Sequence, residues 1–139
     1  MKQKLFLIVG IVFFSFITRA QTVDDANIGK EDKQVFQVVE QIPEFIGGNS
    51  AMMQFIHDYL EYPNNARENN KQGKVVVKFI VNEDGSISDI TTINNPAIGF
   101  GLEEAAMNVV RKMPKWKPGR QNGKPVKVYF TLPISFKLN

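Results

Sequence analysis

The sequence contains no cysteine, a single histidine and a single tryptophan among its 139 residues. The absence of cysteine excludes disulfides, thiol catalysis, cysteine-ligated metal centres and a lipid-modified N-terminal cysteine. The lone His57 has no second histidine with which to share a metal, and the neighbouring Asp58 does not complete a ligand set. It has no cysteine or elbow-borne serine to activate either. Gly47-Gly48 is not followed by Gly-Lys-Ser/Thr, so a phosphate-cradling loop is excluded too. Glu83-Asp84-Gly85 lacks the alternating ligands and closing glutamate of a calcium loop, and reads as hairpin-turn chemistry. No nucleophile–base pair, metal cluster or phosphate loop remains, so no cofactor or metal is expected and the chain does not read as an enzyme.

Long apolar runs are also missing. The longest stretch, residues 5–17, falls short of the roughly 20 apolar residues that a comfortable bilayer span needs. Lys2 and Lys4 precede it and the small Ala20 follows it, the arrangement of a secretory signal peptide over residues 1–20 cleaved after Ala20. The competing reading is a short uncleaved N-terminal anchor. Lys2, Lys4 and Arg19, with no acid in this leader, account for the whole formal charge of +3. The exported chain is close to neutral, and a nucleic-acid partner is not expected.

Acidic residues are absent after Glu104, whereas Arg111, Lys112, Lys115, Lys117, Arg120, Lys124, Lys127 and Lys137 all follow it. One reading is a solvated basic hairpin. The functional reading is a basic rim of Lys115, Lys117, Arg120 and Lys124 that steers an acidic or polar peptide.

Residues 21–34 are polar and read as a flexible lead-in reaching only about 20 Å. Residues 35–139 form one domain. Residues 35–39 suggest a short strand, and Asn49 or Ser50 is expected to cap a helix carrying Met52, Phe55, Ile56, Tyr59 and Leu60 on one face. Tyr62-Pro63 opens a second short helix that runs to Asn70, and Gly73 ends that segment. Val75, Val77, Phe79 and Val81 alternate in a strand that turns at Glu83-Asp84-Gly85 and returns over residues 86–93. Leu102, Ala105, Ala106, Val109, Val110 and Met113 keep helical spacing until Pro114. Trp116, beside that helix end and the turn formers Pro118-Gly119, reads as closing the core rather than stacking on a ligand. The expected class is α+β, a small antiparallel three- or four-stranded sheet with helices packed on one face.

The clearest strand is the last one. Val126, Val128, Phe130, Leu132, Ile134 and Phe136 take one face, and Lys127, Tyr129, Thr131, Pro133, Ser135 and Lys137 the other. The order of elements places it beside one arm of the hairpin with its far side free. Its Pro133 fits a sheet edge, and an exposed edge invites another extended chain to pair with it.

These residues form blocks with a known counterpart. Tyr62-Pro63, Ala66-Arg67, Gly73-Lys74-Val75, Asp84-Gly85, Glu104-Ala105, the run from Met113-Pro114 through Trp116 to Pro118-Gly119, Asn122-Gly123-Lys124-Pro125-Val126 and Leu132-Pro133-Ile134 resemble the TonB C-terminal domain over residues 34–137. Pro43-Glu44-Phe45 with Gly47-Gly48 resembles the version common in Bacteroidetes. The resemblance implies a periplasmic module that captures a receptor segment, the TonB box, as an added strand. The matching edge is Val126, Lys127, Val128, Tyr129, Phe130, Thr131 and Leu132, with main-chain hydrogen bonds supplying affinity. The implied partner is a TonB-dependent outer-membrane receptor. Were the leader retained, the resemblance would instead imply a short transducer working with ExbB and ExbD. A third reading is a structural role in the envelope through an edge-to-edge homodimer. This sequence departs from the full transducer in having no long spacer, which favours peptide capture over force transmission.

Overall fold

The computed structural model describes residues 34–139; the leader and all but the last residue of the lead-in lie outside them. The organising element is a long antiparallel pair. Strand β2 (Gly73–Val81) lies against β5 (Lys124–Phe136) in unbroken register from Gly73↔Phe136 to Val81↔Val128. Strand β3 (Ile87–Thr92) pairs antiparallel with the other side of β2, and β1 (Val35–Phe36) pairs parallel with β5 at Lys127 and Val128. The order across the sheet is β1-β5-β2-β3, with a short β4 (Gly119–Gln121) paired to the start of β5. The sheet is therefore mixed rather than purely antiparallel, because β1 returns to the last strand from the N-terminal side.

Three helices cover one face: α1 (Gly48–Tyr59), α2 (Asn64–Glu68) and α3 (Leu102–Arg111). Alternation along β2 and β5 sends Val75, Val77, Phe79, Val81, Leu132, Ile134 and Phe136 into the core, where they meet Met52, Ile56, Ala66, Leu102, Ala106, Val109 and Val110. Each fully buried aliphatic or aromatic side chain contributes roughly 1.5–3 kcal/mol relative to exposure, so these stripes supply most of the driving force. The small Ala106 lets α3 approach the strands closely. Glu103 and Glu104 occupy the first turn of α3, where the helix dipole favours anions, and Glu103 accepts the backbone N–H groups of Ile98 and Gly99.

Some boundaries differ from the sequence expectation for local reasons. Helix α1 begins at Gly48 behind a left-handed Gly47, so Asn49 and Ser50 lie inside the first turn and neither caps it. The turn-rich stretch before the last strand contains β4, whose Gly-Arg-Gln composition carries no strand signal. Asn122-Gly123 forms the two-residue hairpin turn into β5, with positive φ at both residues, as the twist of a tight hairpin requires.

Trp116 locks the end of the sheet. It is 2% exposed, and its ring lies 5.7 Å from Phe45, 5.5 Å from Phe79 and 4.9 Å from Phe130, all centroid to centroid. Its backbone N–H donates to the carbonyl of Gly85 at 2.8 Å. That contact leaves no room at the hairpin turn, because a Cβ on Gly85 would lie 2.0 Å from the Trp116 carbonyl oxygen. Gly123 also has positive φ but meets nothing within 4 Å. Gly123→Ala is therefore expected to cost about 1 kcal/mol, the left-handed backbone penalty alone. Gly85→Ala adds a displaced, hydrogen-bonded backbone and should cost about 3 kcal/mol or more. Urea unfolding of the two variants tests the difference.

Candidate strand-docking edge

The backbone phase of β5 follows from its neighbours. Val76 donates its N–H to the Asn94 side chain at 2.7 Å and accepts the Ile93 N–H at 3.0 Å, so both its polar groups point away from β5. Its register partner Pro133 then stands in a pair that exchanges no hydrogen bonds. At the other end, Arg120 exchanges backbone hydrogen bonds of 2.9 and 3.1 Å with Gln41, on the side of β4 away from Pro125. Both prolines of β5 thus occupy positions where a missing N–H breaks no ladder bond. Alternation turns the polar groups of Lys127, Tyr129, Thr131 and Ser135 the same way, outward from the sheet.

The edge is open over only part of this row. β1 covers Lys127 and Val128; because Val128 faces inward, the parallel Phe36–Val128 pairing is closed by the Lys127 carbonyl and by the Tyr129 N–H, which donates to Phe36, while β4 backs Val126 from the inner side. Among the described residues no strand pairs with the outer side of β5 beyond the Tyr129 N–H. Of the expected edge residues, Val126, Val128, Phe130 and Leu132 direct their backbone groups to inner neighbours; the side chains of Phe130 and Leu132 join the core, and that of Val128 lies against Gly119. The outward groups belong to Lys127, Tyr129 and Thr131, and the row extends past Leu132 to the Pro133 carbonyl and Ser135. The expectation of a wholly free far side from Val126 onward is corrected by β1, a long-range pairing that local pattern does not encode. The phase of Pro125 and Pro133 was a signal in the sequence for which N–H row faces out.

The side chains of Lys127, Tyr129, Thr131, Pro133 and Ser135 stand on the sheet face opposite the helices. There the Lys78 ammonium lies 4.3 Å from the centroid of the Tyr129 ring. The sheet's other edge is different. Between Lys78 and Ile80 the register of β3 slips by an extra residue, and Asp89 takes a left-handed φ of 51°. A bulge with an exposed charge discourages further pairing.

The basic rim is not a uniform cationic border. Lys117 and Arg120 line a cleft of about 530 Å³ together with Glu40 and Glu44. Arg120 donates to the Gly123 carbonyl at 3.1 Å, Lys115 lies 3.8 Å from Asp84, and Lys124 is exposed at the start of β5. These cations gather around β4, at the covered end of β5, with carboxylates between them. Hydrogen bonds from the Ser86 side chain and backbone, with the nearby Lys115, hold the Asp84 carboxyl below its ordinary range.

His57 is exposed beside Asp58 at 3.2 Å, and the described residues contain no cluster of three His, Asp or Glu side chains suited to a metal. A second cleft, of about 580 Å³, lies between the α1–α2 connection and α3. Its charges are paired, Glu61 with Lys112 at 3.6 Å and Glu104 with Arg111 at 3.0 Å. Neither feature offers a reacting group. No described helix is long and apolar enough to cross a membrane.

The model of the Gram-negative bacterial TonB protein C-terminal family matches residues 58–138, more than half of the chain. The chain belongs to this family. Membership in the TonB C-terminal family implies involvement in TonB-dependent transport. Two solution structures of the Helicobacter pylori TonB C-terminal domain are similar, spanning residues 179–285 and 194–285 of that protein. Each is 24% identical and covers 63% of this chain; they match over 78% and 90% of their own lengths, with TM-scores of 0.48 and 0.43. No curated protein matches the sequence.

Two measurements test this geometry. Amides of Thr131 and Ser135 should exchange with solvent roughly a hundredfold or more faster than those of Phe130, Leu132 and Ile134, a residue-by-residue alternation visible by NMR. Asp84 should titrate below the usual aspartate range, and Ser86→Ala should raise its pKa. Because the folded-state pKa is depressed, its stabilising contribution is present at neutral pH and disappears as pH falls through the lowered value.

Proposed function

We propose that this chain is an exported, periplasmic binding module that captures an extended segment of a TonB-dependent outer-membrane receptor as an added strand on the outer edge of β5. The observation that carries this reading is the outward row of backbone groups from the Tyr129 carbonyl to Ser135, on an edge that is regular while the opposite edge is bulged. A peptide laid along this row meets the N–H groups of Thr131 and Ser135 and the carbonyls of Tyr129, Thr131, Pro133 and Ser135, with alternate side chains on the two faces.

Magnitudes decide what kind of binding this is. Each net backbone hydrogen bond contributes about 0.5–1.5 kcal/mol. Ordering each residue of the incoming segment costs about 1–2 kcal/mol. The two nearly cancel, so the main chain supplies register and direction while side-chain contacts around Tyr129 and the Phe130 side of the edge supply the surplus. Reversible, moderate affinity follows.

The test uses the phase of the strand. Thr131→Pro removes an outward N–H and should leave the domain folded while weakening binding of receptor N-terminal segments at least about tenfold. Phe130→Pro removes a bond to β2 and should unfold the domain. Val128→Pro fails as a probe for the same reason. Unchanged binding by the folded Thr131→Pro variant, or no binding of any receptor segment by the wild-type chain, would sink the proposal.

A further inference from the structure

We propose that β1 is a displaceable strap over one end of the docking edge, so that a segment engaging the whole edge must evict Val35 and Phe36. This rests on the strand-capture reading and adds its regulation. Lys127 belongs to the same outward row as Tyr129, Thr131 and Ser135, and β1 pairs with β5 at Lys127 and Val128. The strap is short: two residues pair, both half-buried, and the chain then leaves the edge with Val38 85% exposed. So brief a strand has little to hold it, since each added pair must offset the ordering of its own residues.

The chain is firmly fixed again a few residues later. The Glu40 N–H donates to the Gln121 side chain at 3.1 Å, and the Glu40 carboxylate accepts the Asn122 N–H at 3.3 Å. Gln41 pairs with Arg120 and Glu44 with Lys117, each through two backbone hydrogen bonds between 2.8 and 3.1 Å. A peeled β1 therefore stays tethered beside the edge, and a short flexible tether gives an effective concentration on the order of millimolar. Segments that bind only from the Tyr129 carbonyl onward leave the strap in place. Longer ones compete with it, and the competition lowers their affinity by roughly tenfold, the equivalent of one or two net backbone hydrogen bonds.

The absence of native cysteine makes the test clean. Val35 and Lys127 are register partners, so V35C/K127C places two thiols within disulfide reach. The full-length chain is compared in three forms: this variant oxidised, the same variant reduced, and V35G/F36G, which weakens the strap. The probe is a synthetic peptide of residues 34–40, the segment this edge already holds. Without peptide, the residue 127 amide should exchange at least about tenfold more slowly in the oxidised form than in the reduced one. With peptide, V35G/F36G should bind roughly tenfold more tightly than the reduced form and gain protection at Lys127. The oxidised form should bind most weakly and gain protection only at Thr131 and Ser135. Equal affinity in all three forms overturns the strap while leaving capture intact, as does tighter binding by the oxidised form. No binding by any form overturns capture at this edge, and the strap with it.

Discussion

The antiparallel pairing of β2 with β5 is the constraint from which the rest of the molecule follows. It joins segments 47 to 63 positions apart, from Val81–Val128 to Gly73–Phe136, and its register decides three things together. It puts Val75, Val77 and Phe79 on the same face as Leu132, Ile134 and Phe136, which creates the surface that α1, α2 and α3 cover. It leaves Pro133 where no bond is lost. It also selects which row of β5 backbone groups faces out. A slip of one residue would reverse all of these, placing a proline in the ladder and the valines in water. Core burial and edge geometry are thus specified by a single alignment.

Trp116 transmits that alignment to the end of the sheet. Its ring packs between Phe79 of β2 and Phe130 of β5, and its N–H holds the β2–β3 turn through Gly85. From there the chain enters β4 and the hairpin into β5. The residues that precede α1 lie along β4, so the N-terminal part of the domain is secured to the C-terminal hairpin as well as to α1, where Phe45 meets Phe55. The outer edge of β5 is consequently built from both ends of the domain.

Much of this was readable before any coordinates. The alternation of β2 and β5 and the 3.6-residue spacing of Leu102, Ala106, Val109 and Val110 are local patterns, and each buries the predicted face. The burial of Trp116 followed from its place between a helix end and a turn. What escaped was long-range or compositionally silent. Gly119, Arg120 and Gln121 form a strand because Gln41 and β5 flank them, not because of their own preferences. The parallel strand β1 and the carboxylates of Glu40 and Glu44 among the late cations depend on a segment some 80 positions away in the chain, as the Glu40–Gln121 contact illustrates. A charge map drawn along the sequence could not bring those groups together.

The phase of the two prolines has a bearing on fibre growth. A continuous, fully armed strand edge templates copy after copy of itself, each new chain presenting the same donors to the next. Here the outward donors fall in a broken series: none at Pro125, those of Lys127 and Tyr129 already covered, one at Thr131, none at Pro133, one at Ser135. A short guest strand can use the middle of that series. A sister β5 laid alongside would bring its own gaps, and the ladder could not propagate at full strength. The edge can therefore stay exposed to visitors while remaining a poor seed for stacking.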